Sequence, residues 1–501
     1  MTGERAAPPT RRLLVVTLLV VAVFTVWRLA MAAALDLRSD EAYYWTWSHQ
    51  AVLSFLDQPP MVAWFERFGE LVFGDTPLGA RFAQILSLPL IELLLADIAR
   101  RRTQSWNAAL FLILALECAA NYAAFVVVVE PSIPLLLFTS LILWALCRLD
   151  ETMDGRWWLL IGIAGGLTLL SKYIVLLLAP ALLLFLLLTP RHRRWLTTPW
   201  PWAAVIIAAA LFSPVLIWNA QHNWVSFAFQ GVRLGQGHPL GTSDLVRFGL
   251  YEALFAGPIL VIAAIVGSLR LGVRSIRLRQ PFGAAVAVAF VFTLGFFAIR
   301  SLTFQINQSW AYFMWPIGVL ALVLSIRWDA RPLSRNLLLA GIAATGLPLV
   351  VALLFHATPD TGVWFGTGDP YGQDAGYGET ADKVLADAKS SGATWIATSD
   401  YRTYANLLFH IGDKIPVLQI NERSRFLDFA PRDPAQFQGK ALYVHYGPPT
   451  PILAGAVVTL VETLPIVWHG EPMQTVSVDS LEGFAPELNP APGSPAYAWS
   501  N

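Results

Sequence analysis

Three carboxylates, Asp40, Glu41 and Asp57, stand in one short stretch, Ser39–Pro60, which reads SDEAYYWTWSHQAVLSFLDQPP. Tyr43, Tyr44, Trp45, Trp47 and Phe55 surround them, and the stretch directly follows an apolar run long enough to cross a membrane. Aromatic rings of this kind settle at the membrane–water interface. A carboxylate there can act as base, as acid or as cation ligand toward a polar group carried on a lipid. The plainer reading is a wet loop with an aromatic belt.

The rest of the chain must hold that stretch at a membrane surface. Of 501 residues, 56% are hydrophobic and 14% charged, with mean hydropathy +0.54. Soluble domains carry about 25% charge, so the composition is that of a polytopic membrane protein. The formal net charge of zero argues against a nucleic-acid partner. Cys118 and Cys147 both lie in apolar runs, which leaves no disulfide for an exported domain and no thiolate zinc site. The first run begins at Leu13 behind Arg11 and Arg12 and lacks a convincing cleavage site, so we expect an uncleaved first helix.

About eleven spans are expected, at roughly 13–35, 78–99, 106–128, 131–147, 157–171, 173–189, 200–218, 249–268, 282–299, 310–326 and 337–356. Arginines crowd every second loop: Arg11–Arg12, Arg100–Arg102, Arg148 with Arg156, Arg191–Arg194, Arg270–Arg279, and Arg327 with Arg331 and Arg335. Those loops and the N-terminus are therefore expected on the cytoplasmic side. Ser39–Pro60, the turn at Lys172, the 219–248 loop, the 300–309 segment and the C-terminal region then share the outer side.

Behind Pro59 and Pro60, residues Met61, Trp64, Phe65, Phe68, Leu71 and Val72 recur at helical spacing opposite Glu66, Arg67 and Glu70. This predicts a helix lying in the interface, the alternative being a core helix of a small soluble domain. A Gly-, Asp- and Pro-rich linker begins near residue 357, and an α/β domain of about 140 residues follows. Helices are expected over Glu379–Ser391 and Tyr401–His410, and strands over Ala393–Thr398, Ile415–Ile420, Ala441–Tyr446 and Ala454–Val467. The tail from Glu487 reads as frayed. The domain boundaries are thus 1–356, with a first outer loop at 36–77, and 357–501. No internal repeat, P-loop or dinucleotide fingerprint occurs, which disfavours an ATP-driven pump.

Taken in order, Asp40–Glu41 with AYYWTWS, LSFLDQPPMVAWF, GGLTLLSKYIVLLL, FSPVLIWNAQHNWVSFAFQ and DYRTYANLLFHIGDKIPVLQINERSRF resemble the bacterial branch of glycosyltransferase family 39. That group includes protein O-mannosyltransferase-like proteins and the lipid A aminoarabinose transferase. One motif departs from it. Many relatives have Thr-Pro-Asp-x-Pro where this chain reads Glu130-Pro131-Ser132-Ile133-Pro134, so the carboxylate is displaced onto Glu130, as a substitute or as a helix cap.

The resemblance implies the GT-C fold: an α-helical polytopic membrane protein with a small C-terminal α/β periplasmic domain. It also implies transfer of a sugar from a polyprenyl phosphate to an acceptor on the outer face of the inner membrane. The acceptor would be lipid A or core sugars, another envelope glycan or a protein hydroxyl, of which a glycolipid or glycan is favoured. Mannose, glucose, galacturonic acid and aminoarabinose all fit the motifs. Such a reaction needs a base near the acceptor hydroxyl and positive charge near the phosphate. Asp40 is then the expected base or the group that orients the nucleophile, Glu41 a helper or a partner supporting it from behind, and Asp57 a holder of the loop or acceptor or a cation ligand. Tyr43 and Tyr44 would line the substrate site. Direct displacement would invert the anomeric centre. No cofactor is required, although a divalent cation on Asp40 or Asp57 is possible.

Lys172 between two apolar runs suits a donor phosphate, or else a lysine snorkelling at a helix end. Arg233 and Arg300, outer arginines in a chain that keeps most of them inside, suit the same phosphate, or else pair with Asp244 or Glu252. Asn219, Gln221, His222 and Asn223 beside Trp218 and Trp224 suit sugar hydroxyls. His49 and His238 are weaker candidates, and Gln305, Asn307, Gln308 and Trp310 are placed on the acceptor side. The competing classes are a transporter or flippase for a lipid-linked sugar and an inactive scaffold.

Overall fold

The computed structural model describes residues 9–123, 127–235, 237–329, 332–356, 369, 372, 375–429, 433–491 and 494–497. Arg331, most of the linker at 357–376, the side chain of Gln308 and the last residues of the tail lie outside them. The chain divides into two compact units. One holds residues 1–30, 83–220 and 230–354; the other holds 31–82, 221–229 and 355–501. Residues 36–77, which the sequence groups with the first domain, thus fall in the same unit as the C-terminal region.

The first unit is helical. Among the described residues, seven helices are long and apolar enough to cross a membrane: Arg11–Ala34, Pro77–Thr103, Ser132–Thr152, Pro199–Gln221, Pro258–Arg277, Pro281–Arg300 and Pro332–His356. An eighth candidate, Tyr173–Leu187 with Pro190–Thr197, bends by 107°. Trp106–Glu117, Trp157–Leu169 and Met314–Ser325 are apolar but shorter than the about 20 residues a full crossing takes.

The span expected at 249–268 is displaced. Helix Ser243–Ala256 ends at Gly257, whose φ of +89° favours glycine, and Pro258 opens the next helix, which runs to Arg277.

Charge is buried among these helices. Arg28 of the first helix donates to Glu117 from Nη1 at 3.1 Å and from Nη2 at 2.6 Å, and reaches Glu92 at 3.4 Å. All three side chains are shielded from solvent. Such groups within a membrane bundle face one another rather than lipid. Here they fasten a first helix whose apolar window is only 17% buried.

In the second unit a five-stranded sheet runs in the order β2–β1–β3–β5–β4, with β1 at Trp395–Thr398, β2 at Val417–Gln419 and β3 at Ala441–His445. A hairpin of β4 (Val457–Trp468) and β5 (Glu471–Glu482) completes it. Strand β1 lies parallel to β2 and β3, while β5 pairs antiparallel with both β3 and β4. Helix Tyr401–Ile411 makes the crossover from β1 to β2. Trp395, Leu418, Phe437, Tyr443 and Leu481 fill one face of the sheet. The tail is not frayed throughout: Arg423 donates to the Leu488 carbonyl, and its amide donates to Ala496.

Helix Ser39–Ser48 packs on Tyr401–Ile411, and Asn406 donates to Ser39 Oγ at 2.9 Å. Helix Met61–Phe73 is inverted relative to a soluble core helix. It buries Glu66 and Glu70 and exposes Trp64, Phe68, Leu71 and Val72. Gly69 and Gly79 set how closely this helix meets the start of the next, since a Cβ on Gly69 would lie 2.0 Å from the Gly79 carbonyl oxygen.

Candidate functional site

Asp40 and Glu41 are neighbours with opposite environments. Glu41 is buried at the third position of its helix and accepts the Arg38 amide at 3.0 Å. Arg81 reaches it through Nε at 2.7 Å and Nη2 at 2.6 Å. The same guanidinium donates to the carbonyls of Ala32, Leu35 and Asp36. Arg81 thereby ties the end of the first helix to the start of the next. Glu41 holds this corner.

Asp40 is exposed, one residue earlier on the same turn. The Tyr401 hydroxyl donates to its Oδ1 at 3.1 Å, and Arg402 Nε lies 3.3 Å from that hydroxyl. Burial, and next the Asp40 charge, push the Tyr401 phenol well above its usual value, so it stays a donor.

Asp57 is buried and fully engaged. Arg425 Nη1 donates to Oδ1 and Oδ2, each at 2.7 Å, and Tyr43 OH donates to Oδ2 at 2.7 Å. Glu422 balances the arginine from 3.5 Å. The Tyr43 ring packs on Tyr401 at 4.7 Å and on Trp47 at 4.9 Å. Tyr43, Asp57 and Arg425 thus hold one another. Half-buried Tyr44 rests edge-on against Trp47.

His222 belongs to the same unit, and its Nε2 lies 3.0 Å from Asp428 Oδ2. Asn223 and Trp224 follow with φ of 54° and 60°, a left-handed pair that few side chains adopt. They turn the chain between the helix ending at Gln221 and the one starting at Val225.

In the first unit Lys172 is buried, and its Nζ donates to Ser132 Oγ at 3.0 Å. Burial lowers the ammonium from its usual value; Glu130 opposes that fall and Arg233 adds to it. Lys172, Glu130 and Arg233 are therefore within electrostatic reach of one another. The Glu130 amide donates to Gln84 at 2.9 Å, and the helix that follows has no side-chain cap. Arg300 instead bonds Thr303 and stacks on Phe304. The carboxylates weighed as partners for these arginines go elsewhere: Asp244 pairs with His238, and Glu252 accepts from Trp315. Asn219 is buried and donates to Val215 within its helix. This unit also holds an apolar cavity of about 430 Å³ walled by Ile142, Leu146, Val175, Leu182, Val205 and Ala289.

Sequence reasoning missed Arg81, Tyr401 and Arg425. The signal available was their place: an arginine near the start of the second expected span, and an arginine and a tyrosine within the DYRTYANLLFHIGDKIPVLQINERSRF motif.

Residues 57–218 match the family described as Dolichyl-phosphate-mannose-protein mannosyltransferase. Among curated proteins, the chain is 32% identical over 216 residues to "Lipid A galacturonosyltransferase RgtD" of Rhizobium johnstonii, covering 41% of this chain and 44% of the relative. It is 32% identical over 145 residues to "Undecaprenyl phosphate-alpha-4-amino-4-deoxy-L-arabinose arabinosyl transferase 1" of Sodalis glossinidius, covering 28% and 25%. The chain thus spans less than half the length of either relative. Among solved structures, ArnT from Cupriavidus metallidurans aligns with TM-score 0.62 and 15% identity over 92% of this chain and 97% of its own; one such structure is bound to undecaprenyl phosphate. The Archaeoglobus fulgidus oligosaccharyltransferase aligns with TM-score 0.51 and 11% identity over 85% and 69%. Over residues 57–218 the chain is thus similar to the dolichyl-phosphate-mannose-protein mannosyltransferase family, and its fold is like that of the solved ArnT structure.

Proposed function

We propose that this chain is an inner-membrane glycosyltransferase that moves a sugar from a polyprenyl phosphate to a lipid A-type or other envelope glycan on the periplasmic side. The observation that carries this is the division of labour among the three acids. Arginines hold Glu41 and Asp57 as frame, while Asp40 stands exposed with only a tyrosine donor on it among the contacts described above. The names of the relatives support the donor and acceptor classes.

In this reading the acceptor hydroxyl attacks C1 of the donor sugar as Asp40 removes its proton. The C1–O bond to the lipid phosphate breaks on the opposite face, and the configuration inverts. Tyr401 holds the Asp40 carboxylate in place and remains protonated throughout. Lys172 and Arg233 take the growing charge on the phosphate, which needs no strong acid to leave. Arg300, Asn219, His222 and Tyr44 are assigned to substrate contacts, and the apolar cavity to a lipid chain. Eleven crossings are proposed, the three shorter helices spanning with the help of adjoining coil. The N-terminus is cytoplasmic and the α/β domain periplasmic. The outward apolar face of Met61–Phe73 lies in the interface, as expected of a membrane-surface helix.

The test is donor consumption by purified protein in lipid, with undecaprenyl-phosphate galacturonic acid, aminoarabinose, mannose and glucose offered beside lipid A. Transfer of one sugar supports the reading. Lipid movement without cleavage would replace it with a flippase.

A further inference from the structure

Three side chains that the proposed transfer does not use converge beyond the far end of helix Ser39–Ser48. His49 follows that helix, Glu70 lies in the last turn of Met61–Phe73, and Asp75 lies in the turn after it. One ligand atom from each lies within 4.8 Å of the other two. His49 Nδ1 sits 3.0 Å from the Trp45 carbonyl and 3.0 Å from Ser48 Oγ. A carbonyl only accepts, so Nδ1 carries the hydrogen and Nε2 is the ring nitrogen that faces Asp75. That is how metal-binding imidazoles are oriented.

Nε2 lies 3.2 Å from Asp75 Oδ1, close to the roughly 3.3 Å between donors around tetrahedral zinc with bonds of about 2.0–2.1 Å. Glu70 is buried, and the Ser48 hydroxyl lies 2.7 and 2.9 Å from its two oxygens, which fixes the plane of the carboxylate. Trp45 packs on the imidazole at 4.5 Å and donates to Asp75 Oδ1 at 3.3 Å. Each of the three ligands thus has a neighbour that orients it, and both of those neighbours, Trp45 and Ser48, come from the helix that carries Asp40. Arg67 stands 3.6 Å from Glu70 Oε2, the one cation close to the group among the described residues. One imidazole and two carboxylates with an open side suit a borderline cation with a water in its fourth place.

We propose that His49, Glu70 and Asp75 bind one Zn²⁺. The ion would clamp the end of helix Ser39–Ser48 to the end of helix Met61–Phe73 and to the turn before Pro77. It would close the loop that holds Asp57 from its far end.

The experiment uses the full chain, free of any affinity tag, stripped with chelator and dialysed against graded Zn²⁺. The native protein should hold one more zinc per chain than the His49→Gln, Asp75→Asn double variant. Zinc should also slow proteolysis within residues 49–76 of the native protein only. Arg67→Gln, which removes the competing cation and leaves the ligands intact, should bind zinc several-fold more tightly. Equal zinc content in native and double variant overturns the site, and so does unchanged or weaker affinity in Arg67→Gln. The second comparison decides the matter if the double variant does not fold.

Discussion

Replacing Arg81 by methionine should unfasten the corner that carries Asp40. All five N–H donors of the guanidinium are in use: two on the Glu41 carboxylate, and one each on the carbonyls of Ala32, Leu35 and Asp36. Both side chains are almost wholly removed from solvent. Methionine keeps the apolar stem and deletes the charge, which strands a buried carboxylate and three carbonyls. Breaking a buried pair in this way costs about 3–5 kcal/mol, a large share of the roughly 5–15 kcal/mol that holds a domain together. At roughly 2–4 °C per kcal/mol for a unit of this size, the unfolding midpoint of the second unit should fall by about 6–20 °C. Thermal unfolding in detergent would measure it, with protease sensitivity of residues 31–82 as a local readout. Adding Glu41→Gln to Arg81→Met removes the stranded charge and should recover at least about 1 kcal/mol, within the usual range for coupled neighbours. A midpoint within 2 °C of native, or a double variant no better than Arg81→Met, would refute the reasoning.

The other expectations follow from the same geometry. Arg425→Met should strand Asp57 and destabilise by a similar few kcal/mol, with Asp57→Asn restoring part of the loss in thermal unfolding. Tyr401→Phe should leave the fold intact and lower kcat by about ten-fold or more, the value of one hydrogen bond to a charged group. Glu66 is buried with neither oxygen hydrogen-bonded among the described residues, and burial first, then Glu70 and Glu41, hold its carboxyl well above the usual range. Its folded value exceeds the unfolded one, so its contribution is full at low pH and is lost as pH rises toward the folded value. The stability of Glu66→Gln relative to native, followed by thermal unfolding, should therefore increase from about pH 4.5 upward. Lys172→Met should raise KM for the donor far more than KM for the acceptor, as initial rates would show.

The sequence carried the membrane class, the acidic stretch and most elements of the α/β domain, because each rests on composition or on local periodicity. It did not carry the partners of the acids. Arg81 lies 40 residues from Glu41 and Arg425 lies 368 from Asp57, and no local pattern marks a contact at such separation. The helix at Met61 was legible as amphipathic, but not the fact that its acids face the protein: a buried Glu66 breaks the rule by which polar faces are assigned to water. Strand β5 escaped notice because Pro472 stands second in it and Asp479, toward its end, is polar; the structure buries that aspartate against His445 at 3.0 Å. The displaced span at Pro258 shows the same limit. Hydropathy runs on across Gly257, and the helix breaks where that glycine takes a positive φ before Pro258.

The central claim is that Asp40, and not its buried neighbour, acts on the acceptor hydroxyl. The most direct measurement is single-turnover transfer from the active undecaprenyl-phosphate sugar by Asp40→Asn, in protein whose unfolding midpoint and donor binding match the native chain. The account predicts a loss of at least about a thousand-fold, within the span expected when a positioned base is removed. Transfer by Asp40→Asn at the native rate would contradict it and place the base elsewhere.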